Sequence, residues 1–173
     1  MKNYGDSNWK DKVTAIGGKA ITYDAIGNPL TYDGWTFTWK AGRMLASMVK
    51  TGTNAQFTYD HNGLRIKKVV NGVTTNYTLN GKNVVHMTQG SHDLHFFYDA
   101  QGKPGMVTYN DVDYFYVYNL QGDVVALIDA NGTQVVEYGY DAWGNPISKT
   151  GSLATTIGTL NPFRYRGYTY LFY

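Results

Sequence analysis

One short pattern, Tyr-Asp-x-x-Gly, returns along this 173-residue chain. It stands at Tyr23 ("YDAIG"), Tyr59 ("YDHNG"), Tyr98 ("YDAQG") and Tyr140 ("YDAWG"), and at Tyr118 ("YNLQG") with Asn119 in place of the Asp. Two weaker copies, "WKAGR" at Trp39 and "YTLNG" at Tyr77, fill the gaps. Successive starts are then 16, 20, 18, 21, 20 and 22 residues apart. A near-constant step of this size marks a repeat architecture. One such unit cannot bury its own apolar face, whereas stacked neighbours can.

The pattern reads as turn chemistry. Asp24, Asp60, Asp99, Asn119 and Asp141 can accept hydrogen bonds from backbone amides two residues on. Gly27, Gly63, Gly102, Gly122 and Gly144 supply positive φ at the turn's end. Each Tyr is expected to lay its ring over the neighbouring hairpin. In the outer copies an Asn-Pro follows the Gly and should stop strand pairing there. A second set of turn signals lies halfway between: Asp33-Gly34, Lys50 to Asn54, Asn71-Gly72, Gln89 to His92, Asn110-Asp111 and Asn131-Gly132. Asn-Gly and Asp-Gly suit two-residue type I′ hairpins, whose central residues both need positive φ. Between turns, stretches such as "VTTNYTL" and "VDYFYVY" hold the β-branched and aromatic residues that strands favour.

The expected fold is therefore all-β: a repetitive antiparallel hairpin meander of roughly twelve to fourteen short strands, as a curved sheet or partly closed shell-like segment. "GRMLASMVK" (Gly42 to Lys50) is read as a strand, since no segment keeps helical periodicity. The repeat strip occupies 1–146. A Gly/Thr-rich connection, 147–160, reads as a loosely ordered loop, and 161–173 reads as a terminal aromatic strand.

Composition narrows the function. The net charge is +2 and charged residues make up 16%, against a usual share of about 25%. That is too sparse for a dedicated nucleic-acid surface. There is no cysteine, so the fold holds without disulfides. No stretch reaches the apolar length of a membrane helix, and "MKNYGDSNWKDKV" contains no signal-peptide core.

Candidate chemistry is thin. His92, Asp93 and His95 invite a metal reading. On one strand, however, positions three apart face opposite sides, so the two imidazoles should not converge and no metal site is assigned. The repeated Asp residues are explained together by turns, which leaves no marked catalytic pair. No P-loop, G-x-S-x-G or zinc spacing is present. No cofactor is expected. The aromatic residues Trp35, Trp39, Tyr114, Tyr116 and Tyr118 form the main alternative. Stacked rings on repeated hairpins could bind sugars or choline, as in cell-wall modules.

The unit "YDxxGN", its step near twenty and the closing "NPFRYRGY" together resemble the Rhs/YD-repeat family, over Tyr23 to Tyr168. That resemblance implies β-hairpin strips wound into a shell that encloses a C-terminal toxin, an extracellular or cell-surface location, and docking or self-association through sheet edges. In the family a self-cleaving core and a toxin follow the repeats. Here the chain stops at "TYLFY", and no residue matches those catalytic positions. The expectation is a non-enzymatic structural segment of such a protein, with the glycan-binding module as its competitor.

Overall fold

The structure, a computed structural model, describes residues 1–167. It divides into two compact units, Met1–Tyr77 and Thr78–Tyr173. The first contains β1 (Lys2–Tyr4), β2 (Val13–Ile16), β3 (Lys19–Tyr23), β4 (Pro29–Tyr32), β5 (Trp35–Lys40), β6 (Met44–Lys50), β7 (Thr53–Tyr59) and β8 (Arg65–Val70), and β9 (Val73–Asn80) runs across the division. The second contains β10 (Asn83–Gln89), β11 (His92–Tyr98), β12 (Pro104–Tyr109), β13 (Val112–Tyr118), β14 (Val124–Ile128), β15 (Gln134–Tyr140) and β16 (Pro146–Thr150). A one-turn helix α1 (Ile157–Leu160) and a 3-10 turn (Tyr165–Gly167) follow.

Within each unit every strand pairs antiparallel with the one before it in sequence. The chain is thus an all-β meander. Sixteen strands are formed among the described residues, more than expected. Two strands, β1 and β2, lie wholly before the first Tyr-Asp copy, and β2 is joined to β3 at Gly17-Gly18, where both φ angles are positive. Asp33-Gly34, Asn71-Gly72 and Asn110-Asp111 likewise have positive φ at both residues, the requirement of a type I′ hairpin.

Side-chain alternation selects the buried face. In β5, Trp35, Phe37 and Trp39 are partly buried while Thr36, Thr38 and Lys40 are exposed. In β7, Ala55 and Phe57 are buried and Gln56 and Thr58 exposed. In β11, Leu94 and Phe96 are buried while His95 and Phe97 are exposed. This period of two is what a half-buried strand requires.

Two expectations for the C-terminal part are corrected. The 147–160 segment is not a loose connection. Its start belongs to β16, and Ala154, Ile157 and Leu160 are buried. The described part of 161–173 is not a strand either. Asn161, Pro162, Phe163 and Arg164 are buried and make no more than a single bridge at Phe163, where the Arg164 carbonyl accepts the Val124 amide, and Tyr165–Gly167 is the 3-10 turn. The remainder of the expected strand, 168–173, lies outside the described residues. Aromatic residues here imitate a strand in the sequence, but polar anchors on Asn161 and Arg164 hold 161–164 against the sheet face instead.

Candidate functional site

The Tyr-Asp turns share one geometry. Asp24 Oδ1 accepts the amides of Ile26 at 3.0 Å and Asn28 at 2.8 Å. Asp60 does the same for Asn62 and Leu64, and Asp99 for Gln101 and Lys103. Asn119 Oδ1 accepts from Gln121 and Asp123, and Asp141 Oδ1 from Trp143 and Asn145. Gly27, Gly63, Gly102, Gly122 and Gly144 close these turns at positive φ. Burial raises the Asp24 carboxyl, but the Asn28 and Ile26 hydrogen bonds outweigh it and hold the group below its ordinary range. Asp129 makes the same turn with the amides of Asn131 and Thr133. The two-residue hairpin expected at Asn131-Gly132 is therefore not formed, with only Gly132 of that pair at positive φ, and Ile128 stands where the pattern has Tyr.

Each Tyr does more than stack. Tyr23, Tyr59, Tyr98, Tyr118 and Tyr140 donate their hydroxyls to backbone carbonyls of the preceding strand: Val13, Leu45, Val84, Pro104 and Val124, at 2.5–2.9 Å. Trp39, in the weak copy, donates Nε1 to the Pro29 carbonyl at 2.7 Å. A bulge falls just before each of these residues. The extra residue re-aims the side chain, so that it clasps the start of its own hairpin. Burial pushes Tyr98 up to about 12. The prolines also act differently from expectation. Pro29, Pro104 and Pro146 each begin a strand and pair with Tyr23, Tyr98 and Tyr140, a position that needs no N–H.

The aromatic candidates do not form an open platform. Tyr114 and Tyr116 are buried. The Tyr116 hydroxyl donates to Asn161 Oδ1 at 2.8 Å. Tyr118 is clasped to Pro104 and has Lys103 Nζ 3.4 Å from its ring centroid. Trp35 packs near Phe37, with Lys50 Nζ 5.7 Å from its ring centroid. Alternation made the rings look like a ladder. Packing and internal hydrogen bonds occupy them.

The most connected polar group in the second unit is Asn161, fully buried. Its Nδ2 donates to Tyr138 Oη and the Phe163 carbonyl, and its Oδ1 accepts from Tyr116 and the Phe163 amide. Phe163 meets Phe96, Tyr98 and Tyr116 edge-on at 5.2–6.1 Å. Arg164 donates Nη2 to the Gly158 carbonyl at 2.6 Å and lies 4.2 Å from the Tyr138 ring centroid. Beside this segment a polar cleft of about 540 Å³ is lined by residues including Asn119, Asp123, Tyr140, Asp141, Tyr165 and Arg166. Its acids are engaged: Asp123 Oδ1 accepts the Arg166 amide, and Asp141 holds its own turn.

A second polar cluster was missed. His92 and His95 do not converge, but His95 shares its face with Asp93 and stands directly opposite His86 on β10. His92 faces elsewhere and bonds Tyr109 at 2.8 Å. His86, Asp93 and His95 place one ligand atom each within 4.8 Å of one another. Only strand register brings His86 there.

Tyr-clasped, Asx-turned antiparallel hairpins of this kind define a YD-repeat protein of the Rhs type. The chain belongs to the teneurin YD-shell family, whose sequence profile matches residues 6–161. It is 36% identical over 170 residues to the tRNA3(Ser)-specific nuclease WapA of Bacillus spizizenii and to the tRNA nuclease WapA of Bacillus subtilis strain 168. It is 37% identical to the tRNA(Glu)-specific nuclease WapA of Bacillus subtilis subsp. natto. In each case 94% of this chain is matched, and it spans 7% of the relative's length. Among solved structures, the fold is shared with a chain of the Photorhabdus luminescens Tc holotoxin pore, at a TM-score of 0.61 and 16% identity over 93% of this chain and 8% of that one. A chain of the TcdB2–TccC3 crystal structure aligns at 0.58 and 15%, over 84% of this chain and 8% of its own. Among the described residues no helix is long and apolar enough to cross a membrane.

These relatives correct the expectation of a purely structural, non-enzymatic protein, and of a glycan-binding module in its place. The relatives are named nucleases. The expectation rests on the shell-building role that the family resemblance implies, and a shell fold carries no information about the activity of the protein it belongs to.

Proposed function

We propose that this chain is a YD-shell portion of a tRNA nuclease toxin of the WapA kind, acting outside or at the surface of the cell that makes it. The observation that carries this reading is the 36% identity sustained over 94% of the chain. A match over that share of the chain takes in most of the repeated turns and clasps. Transfer RNA, as substrate of the whole protein, replaces the expectation that no nucleic acid is involved. Docking to further shell components through sheet edges follows from the repeat architecture, because a terminal strand has unpaired backbone groups on one side. β16 is exposed along its full length.

The test is to incubate the protein that carries this segment with total tRNA and resolve the products on denaturing gels. Cleavage of one tRNA or a few is the expected result. A properly folded protein that leaves every tRNA intact would falsify the reading.

A further inference from the structure

The outward face of the β10–β11 hairpin concentrates ligands as no other described part of the chain does. His86 and His95 are directly opposed in the antiparallel register, and Asp93 lies two residues before His95 on the same face. The opposite face is occupied by Met87 and Leu94, which are 1% and 0% exposed. The three polar side chains are therefore held to the solvent side by the hairpin's own core. His86 Nε2 lies 3.1 Å from both Asp93 oxygens, and His95 Nε2 lies 2.9 Å from Asp93 Oδ1. The two imidazole rings stack 4.3 Å apart at 15°.

Asp93 is also fixed through its backbone. Its amide donates to Asn110 Oδ1 at 2.9 Å, and its carbonyl accepts the Asn110 amide at 3.0 Å. The ligand set thus sits on paired strands anchored to the next hairpin, the kind of rigid support that a binding constellation needs.

We propose that His86, Asp93 and His95 form a binding site for a divalent first-row transition ion of the zinc type. Two imidazoles and one carboxylate are a known donor set for such ions, with imidazole favouring Zn, Cu, Fe and Ni over Mg or Ca. A tetrahedral ion with bonds of about 2.1 Å wants its ligand atoms about 3.4 Å apart. The two His–Asp separations already lie near that value. The imidazoles must tilt out of their parallel stack to converge, and each must present Nε2 as its lone-pair nitrogen, carrying its proton on Nδ1. Side-chain exposures of 29%, 48% and 52% leave room for that rotation. Three protein ligands leave a fourth position to solvent, the pattern of an open site rather than a closed structural one. His92 is excluded as a ligand because Tyr109 holds its Nδ1. The proposal is independent of the nuclease reading.

The test uses the full chain, freed of any polyhistidine tag. Zinc chloride is titrated calorimetrically, and cobalt(II) is added separately for its visible absorption. One ion per chain is expected. His86→Gln, Asp93→Asn and His95→Gln should each weaken binding about tenfold or more, while His92→Gln leaves it unchanged. Zinc at a concentration that saturates the parent chain should raise its melting temperature clearly more than that of Asp93→Asn. Circular dichroism verifies that each variant is folded. All three positions are on the solvent face, so folding is expected to survive. Absence of saturable zinc binding to the folded parent overturns the proposal. So does binding that persists in the three variants, or binding that is lost in His92→Gln.

Discussion

Met1–Tyr77 and Thr78–Tyr173 are built from the same clasped hairpin, yet they bury very different amounts of it. Among the described residues of the first unit, the buried hydrophobic side chains are Met48, Ala55 and Phe57, against sixteen in the second. The first unit even buries a cation, Lys68, at 2% exposure. The second lays Asn161–Arg164 and α1 over the apolar face of its own strands, and Phe163, Ile157 and Leu160 complete its core. Repeats alone make a sheet with one face lacking a cover. A sheet becomes a two-layer core only when something packs on that face. The difference lies in one short non-repeat segment, not in the hairpins.

The largest test removes that segment's anchor. Phe163→Ala should destabilise the second unit by about 3–5 kcal/mol. Hydrogen exchange should report lost protection in β11 to β15, with β5 to β7 unchanged. Equal loss in both regions would show that the units do not differ in this way.

Lys68 sharpens the contrast from the other side. Burial, with a smaller contribution from Arg65, lowers its pKa to about 8. Below that pH the ammonium is charged in folded and unfolded chains alike, and its burial penalty is fully present. Between about 8 and 10.5 the folded chain gives up the proton first, so stability rises with pH. Lys68→Met should flatten the dependence of urea midpoints on pH measured from pH 8 to 10. An unchanged slope in that window would mean that Lys68 is not its source. Above pH 10 the sign reverses. Burial raises Tyr98 to about 12, so the unfolded chain loses the phenolic proton first and stability falls.

A glycine pair separates turn strain from docking. Gly122 and Gly144 have φ of 86° and 84°. A Cβ at Gly122 meets nothing within 4 Å, whereas at Gly144 it would come within 2.4 Å of Tyr165 Cδ1. Both Ala variants should lose about 1 kcal/mol to backbone strain. Gly144→Ala should lose at least about another 1 kcal/mol by overpacking against Tyr165. Matching melting temperatures for the two variants would argue that Tyr165 yields freely.

The smallest effect should be shared by both units. Tyr59→Phe and Tyr140→Phe each delete one hydroxyl-to-carbonyl bond, to Leu45 and Val124. About 1 kcal/mol is expected in each case. A markedly larger loss at Tyr140 would show that the clasp depends on the second unit's packing.

Much of this organisation could be read in advance because it is local. An Asx turn bonds a side chain to amides two and four residues away, so its signature is a short string with a glycine. That is why the turns at Asp24, Asp60, Asp99, Asn119 and Asp141 were legible. Asp129 was missed because Ile128 had replaced the Tyr that marks the pattern, while the Asp-to-Gly spacing was intact. The hydroxyl clasps were half legible: Tyr was expected to pack on its hairpin, but its acceptor depends on the bulge before it, which no residue type announces.

By itself the sequence determined the hairpin period, the turn types and the alternation that decides which face of each strand is apolar, since all three follow from interactions over a few residues. Tertiary structure decided the rest. It folded Asn161–Arg164 back as a core layer, because Asn161 satisfies Tyr116 and Tyr138, 45 and 23 residues upstream, in a space from which water is excluded. It also placed His86 against His95 and Asp93, because antiparallel register, not spacing along one strand, sets which side chains meet across a hairpin.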